Sequence, residues 1–566
     1  MNKLYTYEGE RLTGTPWDVY PRPQLMRDSF LCLNGEWDFA VTTGEQPMTY
    51  DRTIRVPFAP ESLLSGIDEV YGDSDVRWYR RSFTLPTDFV QGRVLLHFGA
   101  VDQIAEVYVN GRKAGEHIGG YDAFSMEITS LLQPENELTV RVEDRLGDLV
   151  LPYGKQCYKR GGMWYTPVSG IWQTVWLESV PETYVRSLKI DTDLHSATIA
   201  AEGVTTGRVV VRTPEGTLSA EVVDGVAHVE VPSPQPWSPE HPQLYPFTLT
   251  AGEDTVKSYF ALRTLDIREV DGLPRLCLNG EPYFFHGLLD QGYWSDGLFT
   301  PAVPELFSLD IRAMKALGFN MLRKHIKVEP ELFYYECDRL GMVVFQDMVN
   351  NGDYRYIRDT VLPTVGFIHR DDRRMHADET TREAFIRGME KTVRQLYNHP
   401  SVCYWTIFNE GWGQFDSTAM YRSLRELDHS RFIDSTSGWF LGGEMDVESR
   451  HIYFSKLEVT PSTKPFVLSE FGGYSWKPEG HVFNTEKTYG YSKYDDQKDF
   501  TAALCRLYTE HILPMIPQGL CAAVYTQVSD VEDETNGLLT YDRRVAKVTP
   551  EELAPISEQL KAAIHL

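Results

Sequence analysis

The chain has little that would tie it to a membrane, a nucleic acid or an oxidising compartment. No uninterrupted apolar run among its 566 residues is long enough to cross a bilayer. The first ten residues, MNKLYTYEGE, lack the apolar centre of a secretion signal, so none is expected. Basic residues are in the minority. There are 55 Lys and Arg against 81 Asp and Glu, a net charge of −26. That balance argues against nucleic acid and anionic membrane surfaces as partners. Cysteine is scarce: seven residues, at 32, 157, 277, 337, 403, 505 and 521, with no paired spacing. They read as reduced thiols, and a cytoplasmic location is expected. Neither Cys nor His falls at metal-ligand spacing, so no metal and no cofactor is expected. No repeat or low-complexity tract marks an interaction scaffold.

What is present is organised around residues 401–412, SVCYWTIFNEGW. An apolar, β-branched and aromatic run of strand length ends in Asn409-Glu410, followed by Gly411. A run this apolar reads as a strand buried on both faces of a parallel sheet. Residues 465–473, PFVLSEFGG, repeat the pattern and put Glu470 at a second strand end. Carboxylates at the C-terminal ends of parallel strands sit where such sheets and barrels carry their chemistry. Two of them suggest the acid/base and nucleophile of a glycosidase. The competing reading of each is a helix cap or a surface ion pair.

Residues 1–180 are strand-rich, with alternating stretches at 31–39, 77–85, 93–98 and 137–142, and Asn110-Gly111 as a hairpin signal inside 105–113. An antiparallel sandwich or jelly roll is expected. Residues 181–265 continue with short alternating strands and a Pro-rich stretch, 236–245, which fits a small immunoglobulin-like β-sandwich. From 266 to 566, short apolar runs alternate with helix-length segments of 3.6 period. Runs at 284–290, 318–325, 342–347, 402–409, 432–436, 451–454, 466–470 and 522–527 give eight strands, and a last helix is expected at 551–564. Eight β-α alternations predict a (β/α)8 TIM barrel.

Several stretches resemble glycoside hydrolase family 2. In the first domain these are WYRRSF at 78–83, VYVNG at 107–111, GGYDAF at 119–124 and SGIWQTVWLE at 169–178. They are similar to that family's sugar-binding-like jelly-roll domain, although their aromatics are assigned here to the core. The Trp-Ser-Pro-Glu…Pro-Gln-Leu-Tyr run resembles the family's middle domain, read here as a structural loop. Asn409-Glu410 and Ser469-Glu470-Phe-Gly complete the resemblance in the barrel. It implies a retaining β-glycosidase with Glu410 as acid/base, Glu470 as nucleophile and Asn409 bonding the sugar 2-hydroxyl. The acid/base must be protonated and the nucleophile ionised.

Further strand-end residues are candidates for sugar binding. His325 is where the family often places a sugar-facing His, or is a buried structural one. Asp290 and Asp347 either bind sugar hydroxyls or pair with Arg323 and Lys324. Tyr453 is placed to hydrogen-bond the nucleophile. Trp439, Trp476 and Tyr525 are candidate stacking platforms, and Trp412 and Trp476 alternatively belong to loop cores.

The sugar is read from residues 525–542. The family's β-glucuronidases carry Asn-x-Lys there, gripping the substrate carboxylate. This chain reads Glu534-Thr-Asn536. A carboxylate substrate would meet repulsion, which favours a neutral sugar, with β-galactoside first. β-Mannoside, β-glucoside, α-L-arabinopyranoside and, against Glu534, β-glucuronide stay open. So does a non-catalytic carbohydrate-binding protein on the same scaffold. The Asp- and Arg-rich segment 350–379 reads as a lid or as solvated surface. The family's frequent dimers and tetramers leave a homo-oligomer open.

Overall fold

A computed structural model describes residues 1–364, 366–368, 371–376, 378–440, 442–453 and 456–565. Phe454, the expected end of the sixth barrel strand, lies outside them, as do four residues of the 350–379 segment.

The first strands form two antiparallel sheets. One has six strands, in the order Arg52–Val56, Gly35–Thr42, Val76–Phe83, Asn136–Glu143, Ile104–Val109 and Arg112–Ile118. The other has four: Leu31–Cys32, Val175–Val180, Arg93–Phe98 and Phe124–Glu127. Alternate residues point inward, so Trp37, Phe39, Tyr79, Leu96, Phe98, Val107 and Val140 fill one core between the sheets. The expected hairpin turns at Asn110 (φ 52°) and Gly111 (φ 72°), the paired positive φ that tight two-residue hairpins require.

Seven further antiparallel strands, from Ser187–Thr192 to Asp254–Phe260, build the immunoglobulin-like sandwich around Ile199, Val211, Phe247 and Phe260. Its Pro-rich stretch is structural, as read from the sequence. Trp237 is fully buried, and its Nε1 donates to the Asp338 carbonyl at 2.8 Å, tying this sandwich to a barrel helix.

The barrel strands are β1 (Phe285–Asp290), β2 (Met321–Lys324), β3 (Val343–Asp347), β4 (Val402–Asn409), β5 (Phe432–Ser437), β6 (Glu448–Ile452), β7 (Phe466–Gly472) and β8 (Leu520–Thr526). They pair in parallel through the ladder β5-β4-β3-β2-β1-β8-β7-β6. The seam between β5 and β6 closes by Asp446 N donating to Ile433 O at 3.0 Å and by Ser437 Oγ beside Ser449 Oγ at 3.1 Å. Helices Glu305–Ala316, Glu331–Leu340, Glu379–Leu396, Ser417–Leu427 and Gln497–Arg506 run outside, and Pro550–Ala562 closes the ring.

The barrel interior is polarised. Phe285, Leu289, Met321, Phe345, Tyr404, Val467 and Val524 fill its lower part together with Leu276, from the antiparallel hairpin Leu265–Val270 and Leu273–Leu278 beneath. Polar residues gather at the C-terminal ends of the strands. Among the described residues no helix is long and apolar enough to cross a membrane.

Candidate active site

β4 carries Asn409 and Glu410 to the barrel mouth, and the chain turns sharply there. Glu410 takes φ 53°, a left-handed conformation that costs a residue with a Cβ about 1 kcal/mol or more. Its amide donates to the Ser437 carbonyl on β5 at 2.8 Å. Gly411 follows at φ 77°, and a Cβ on it would stand 2.3 Å from the Phe440 ring. β7 brings Glu470 to the opposite side. One carboxylate oxygen of each glutamate and one nitrogen of His451 lie within 4.8 Å of one another.

Glu470 is almost enclosed, at 5% exposure. Tyr453 OH donates to its Oε2 at 2.7 Å, and Arg323 Nη1 to its Oε1 at 3.1 Å. Burial pushes the Glu470 pKa up, but His451, Arg323, His325 and the Tyr453 hydroxyl outweigh it and hold the carboxyl below the usual glutamate value. Tyr453 is itself pushed well above the ordinary tyrosine value by burial and by Glu470, so it stays a donor.

Arg323 organises the floor from β2. Besides Glu470 it donates to Asp347 Oδ1 at 3.0 Å, to the Ser469 carbonyl at 3.0 Å and, through Nη2, to Asn409 Oδ1 at 2.9 Å. The last bond fixes the Asn409 amide. Its Nδ2 is left buried with no partner among the described residues, at the wall of the cavity.

That cavity, about 700 Å³, is lined by Asn409, Glu410, Glu470, His325, Tyr453, Trp439 and Thr526 from the barrel. Trp412 Nε1 and Trp439 Nε1 also face it without a partner among the described residues. A cluster of indole and amide donors around two carboxylates is the lining a polyhydroxylated ligand needs.

The first sandwich contributes Lys155 and Trp164. Their loop is clamped to the barrel: Tyr153 N donates to Asn350 O at 3.0 Å and Tyr153 OH to Gly352 O at 2.8 Å. Trp164, Tyr354 and Trp412 form an aromatic wall with ring centroids 4.9–5.5 Å apart. Tyr354 and Tyr356 bring part of the 350–379 segment to the same wall.

Other expected site residues sit differently. Asp290 donates no surface to the cavity. Its carboxylate accepts from Lys324 Nζ at 2.6 Å and from Gly292 N at 3.0 Å. Asp347 is enclosed between Arg323 and His325, whose Nδ1 is 2.8 Å from Asp347 Oδ2. The pairing alternative therefore describes both aspartates. Asp347 acts on His325, which lines the cavity. Burial and the nearby Lys155 charge push the His325 pKa down, while Asp347 opposes that fall.

Tyr525 is no stacking platform. It is fully buried among Phe471, Tyr474 and Tyr508, because its position on β8 points its ring outward into the helix layer. Trp476 is half-buried against Phe500, away from the cavity. The sequence reading missed His451, Lys155, Trp164 and Tyr491, which stacks on Tyr453 at 4.3 Å. Strand alternation offered one signal: His451 is two residues before Tyr453 and so shares its face. The contribution of the sandwich had none.

Glu410, His451 and Glu470 are also the one grouping among the described residues that could ligate a cation. The Arg323 guanidinium bonded to Glu470 opposes a divalent ion there.

Comparison with known proteins agrees with this architecture. Residues 274–544 match the family model described as the glycosyl hydrolases family 2 TIM barrel domain. Residues 69–149 match the glycosyl hydrolase 2 galactose-binding domain-like model, and 182–263 match a glycosyl hydrolases family 2 model. A β-galactosidase of Thermoanaerobacter pseudethanolicus is 25% identical over 443 residues, covering 72% of this chain and 55% of that protein. The chain thus spans little more than half of that relative. A β-glucuronidase of Felis catus is 26% identical over 474 residues, covering 74% of this chain and 68% of that protein. A solved β-glucuronidase from an uncultured Clostridium superposes with a TM-score of 0.72 at 18% identity, covering 96% of this chain and 99% of that one. The three model matches, in the order found in the fold, show that the chain belongs to glycoside hydrolase family 2.

Proposed function

We propose that the chain is a retaining, exo-acting β-glycoside hydrolase. The observation that carries this reading is the approach of Glu410 and Glu470, with carboxylate oxygens within 4.8 Å. Two carboxyls about 5–5.5 Å apart leave no room for a water between sugar and base, which favours double displacement. Glu470, held ionised, attacks the anomeric carbon as the glycosidic C–O bond breaks. Glu410 gives its proton to the leaving oxygen. A water then enters, Glu410 takes its proton, and the hydroxide displaces Glu470 from the anomeric carbon. Asn409 Nδ2 is supplied to bond the 2-hydroxyl, a contact that strengthens as the ring becomes oxocarbenium-like.

The sugar is read as neutral, with a β-galactoside first and a β-mannoside as the family alternative. Glu534 supports this. It lines the cavity, held by Asn536 Nδ2 at 3.1 Å and by Tyr165 OH. A uronate at that wall would meet a second carboxylate. One observation favours a β-glucuronide as second reading: Lys155, 5.5 Å from the Trp412 ring, brings an ammonium to the same wall. The seven free cysteines support a reducing, cytoplasmic setting. Residues 1–180 are proposed as a sugar-binding-like jelly-roll domain, 181–265 as an immunoglobulin-like domain that buttresses the others, and 266–566 as the catalytic domain.

The test is a panel of p-nitrophenyl β-glycosides with Glu470→Ala as control. Release from the galactoside, lost in the variant, supports the reading. Release from the glucuronide alone favours the second. Silence across the panel points to a different natural substrate or returns the non-catalytic binding protein.

A further inference from the structure

Between the two glutamates stands a side chain to which neither the residue pattern nor the family resemblance gave a role. The His451 imidazole is shut off from solvent. Its Nδ1 is 2.9 Å from Glu410 Oε1. Its Nε2 faces Arg323 Nη1 at 3.3 Å, Ser437 Oγ at 3.2 Å and Glu470 Oε1 at 3.5 Å. The ring has no freedom to turn: a Cβ on Gly438 would stand 2.9 Å from Nδ1, and Trp439 packs edge-on at 5.7 Å.

The tautomer follows from the neighbours. A guanidinium carries only donors, so Nη1 can approach Nε2 only by sharing with it the proton it offers Glu470. The Ser437 hydroxyl works either way, donating to Ser469 Oγ at 3.0 Å or turning toward the ring. A proton on Nε2 would stand against the protons of Arg323. Nδ1, whose neighbour is the acceptor Glu410 Oε1, is the nitrogen that carries a proton.

We propose that His451 is the positioning residue of the acid/base. Donating from Nδ1, it holds Glu410 Oε1 as an acceptor and leaves Oε2 to carry the acid proton to the leaving group. The proposal rests on the reading of Glu410 as acid/base. A donor already facing Oε1 makes that oxygen the poorer place for a proton. Once Oε2 has released its proton, Glu410 is a carboxylate and the Nδ1–H bond becomes charge-assisted, shorter and stronger. His451 therefore stabilises the state reached by proton transfer. Its contribution scales with how much the leaving group needs that proton.

The experiment uses the full chain and a leaving-group series, from dinitrophenyl, which departs unprotonated, to phenyl and methyl β-glycosides. In His451→Asn the side-chain amide reaches the position of Nδ1, and in His451→Gln it reaches that of Nε2. His451→Gln is expected to lose on the order of 100-fold in kcat/KM on the methyl glycoside, within the usual range for general-acid catalysis, and roughly 3-fold or less on the dinitrophenyl one. His451→Asn is expected to recover about 10-fold or more of the loss on the methyl glycoside. Equal losses along the series, or better recovery with Gln, overturn the proposal. A measurement independent of turnover is the 15N NMR of histidine-labelled protein, with His451 assigned by difference against the Asn variant. A proton on Nδ1 supports the proposal, and a ring with Nδ1 bare and its proton on Nε2 alone overturns it. If the wild-type protein cleaves no glycoside, the functional reading falls, and the NMR result still decides the hydrogen bond.

Discussion

Arg323 Nη2 donates to Asn409 Oδ1 across 2.9 Å, and this one bond decides which end of the amide faces the cavity. With the oxygen occupied, Nδ2 is the end presented to substrate, and it has no other partner among the described residues. Asn409→Ala should lower kcat/KM on the order of 100-fold for glycosides with a free 2-hydroxyl, because that bond tightens in the transition state. On the matched 2-deoxy glycoside the loss should nearly vanish. Equal losses on both would remove Asn409 from the sugar contact.

The two glutamates should fail in different ways. Glu470→Ala removes the proposed nucleophile, so turnover of every glycoside should drop by several orders of magnitude. Glu410→Ala should still be glycosylated by a dinitrophenyl glycoside and then stall, because nothing deprotonates the water. Mass spectrometry should find the sugar covalently attached to Glu470, and added azide should restore release as a β-glycosyl azide. Azide rescue of Glu470→Ala to an α-product is the matching control.

The pH dependence follows from Glu470. Its folded pKa lies below the ordinary 4.5. A lowered carboxyl value adds stability that is fully present above the unfolded pKa and is lost as pH falls through the folded one. Between pH 7 and 5 the Tm difference between the wild type and Glu470→Gln should be constant. Below about pH 4.5 it should shift against the wild type. The acid limb of kcat/KM should likewise fall below 4.5, since the nucleophile must be ionised. An acid limb above that value would mean another group controls activity.

Glu534 and Lys155 should bias the sugar in opposite directions. Burial raises the Glu534 pKa, with Lys155 opposing that rise. Glu534→Gln removes the charge and keeps a carbonyl for Asn536. It should raise the ratio of glucuronide to galactoside cleavage by about 10-fold, the effect of ~1.4 kcal/mol. Lys155→Met should lower the same ratio. Cleavage ratios on the aryl-glycoside panel check both, and an unchanged ratio in both variants would show that this wall does not read the sugar.

Gly411→Ala tests the turn that presents the proposed acid/base. The new methyl would meet the Phe440 ring at 2.3 Å on a backbone at φ 77°. A Tm loss accompanied by a fall in kcat larger than in Asn409→Ala would show that the turn, as well as the side chain, places Glu410.

Much of the architecture was legible because it is written in local periodicity. Alternation with Asn110-Gly111 forces a hairpin. The short, β-branched and aromatic run into Asn409-Glu410 fits an inner strand, and the C-terminal end of a strand in a parallel barrel is at the mouth. One expectation differs in direction, that for Tyr525. Tyr525 is a candidate platform by being aromatic and near a strand end, but its place in the β8 alternation turns it to the helices. Trp476 lies beyond the end of β7 and packs on Phe500.

The sequence by itself determined the two glutamates, the strand ends that carry them and the order of sandwich, sandwich and barrel, since each follows from residues within about ten positions of one another. Tertiary structure alone decided what surrounds those carboxylates. Arg323, His451 and Tyr453 meet Glu470 because barrel closure brings β2, β6 and β7 to one mouth. Lys155 and Trp164 reach the cavity because the sandwich loop is bonded to Asn350 and Gly352. Hydrogen bonds and charges act over a few ångströms of space, and a chain's local pattern carries no record of which distant residues folding will place within that range.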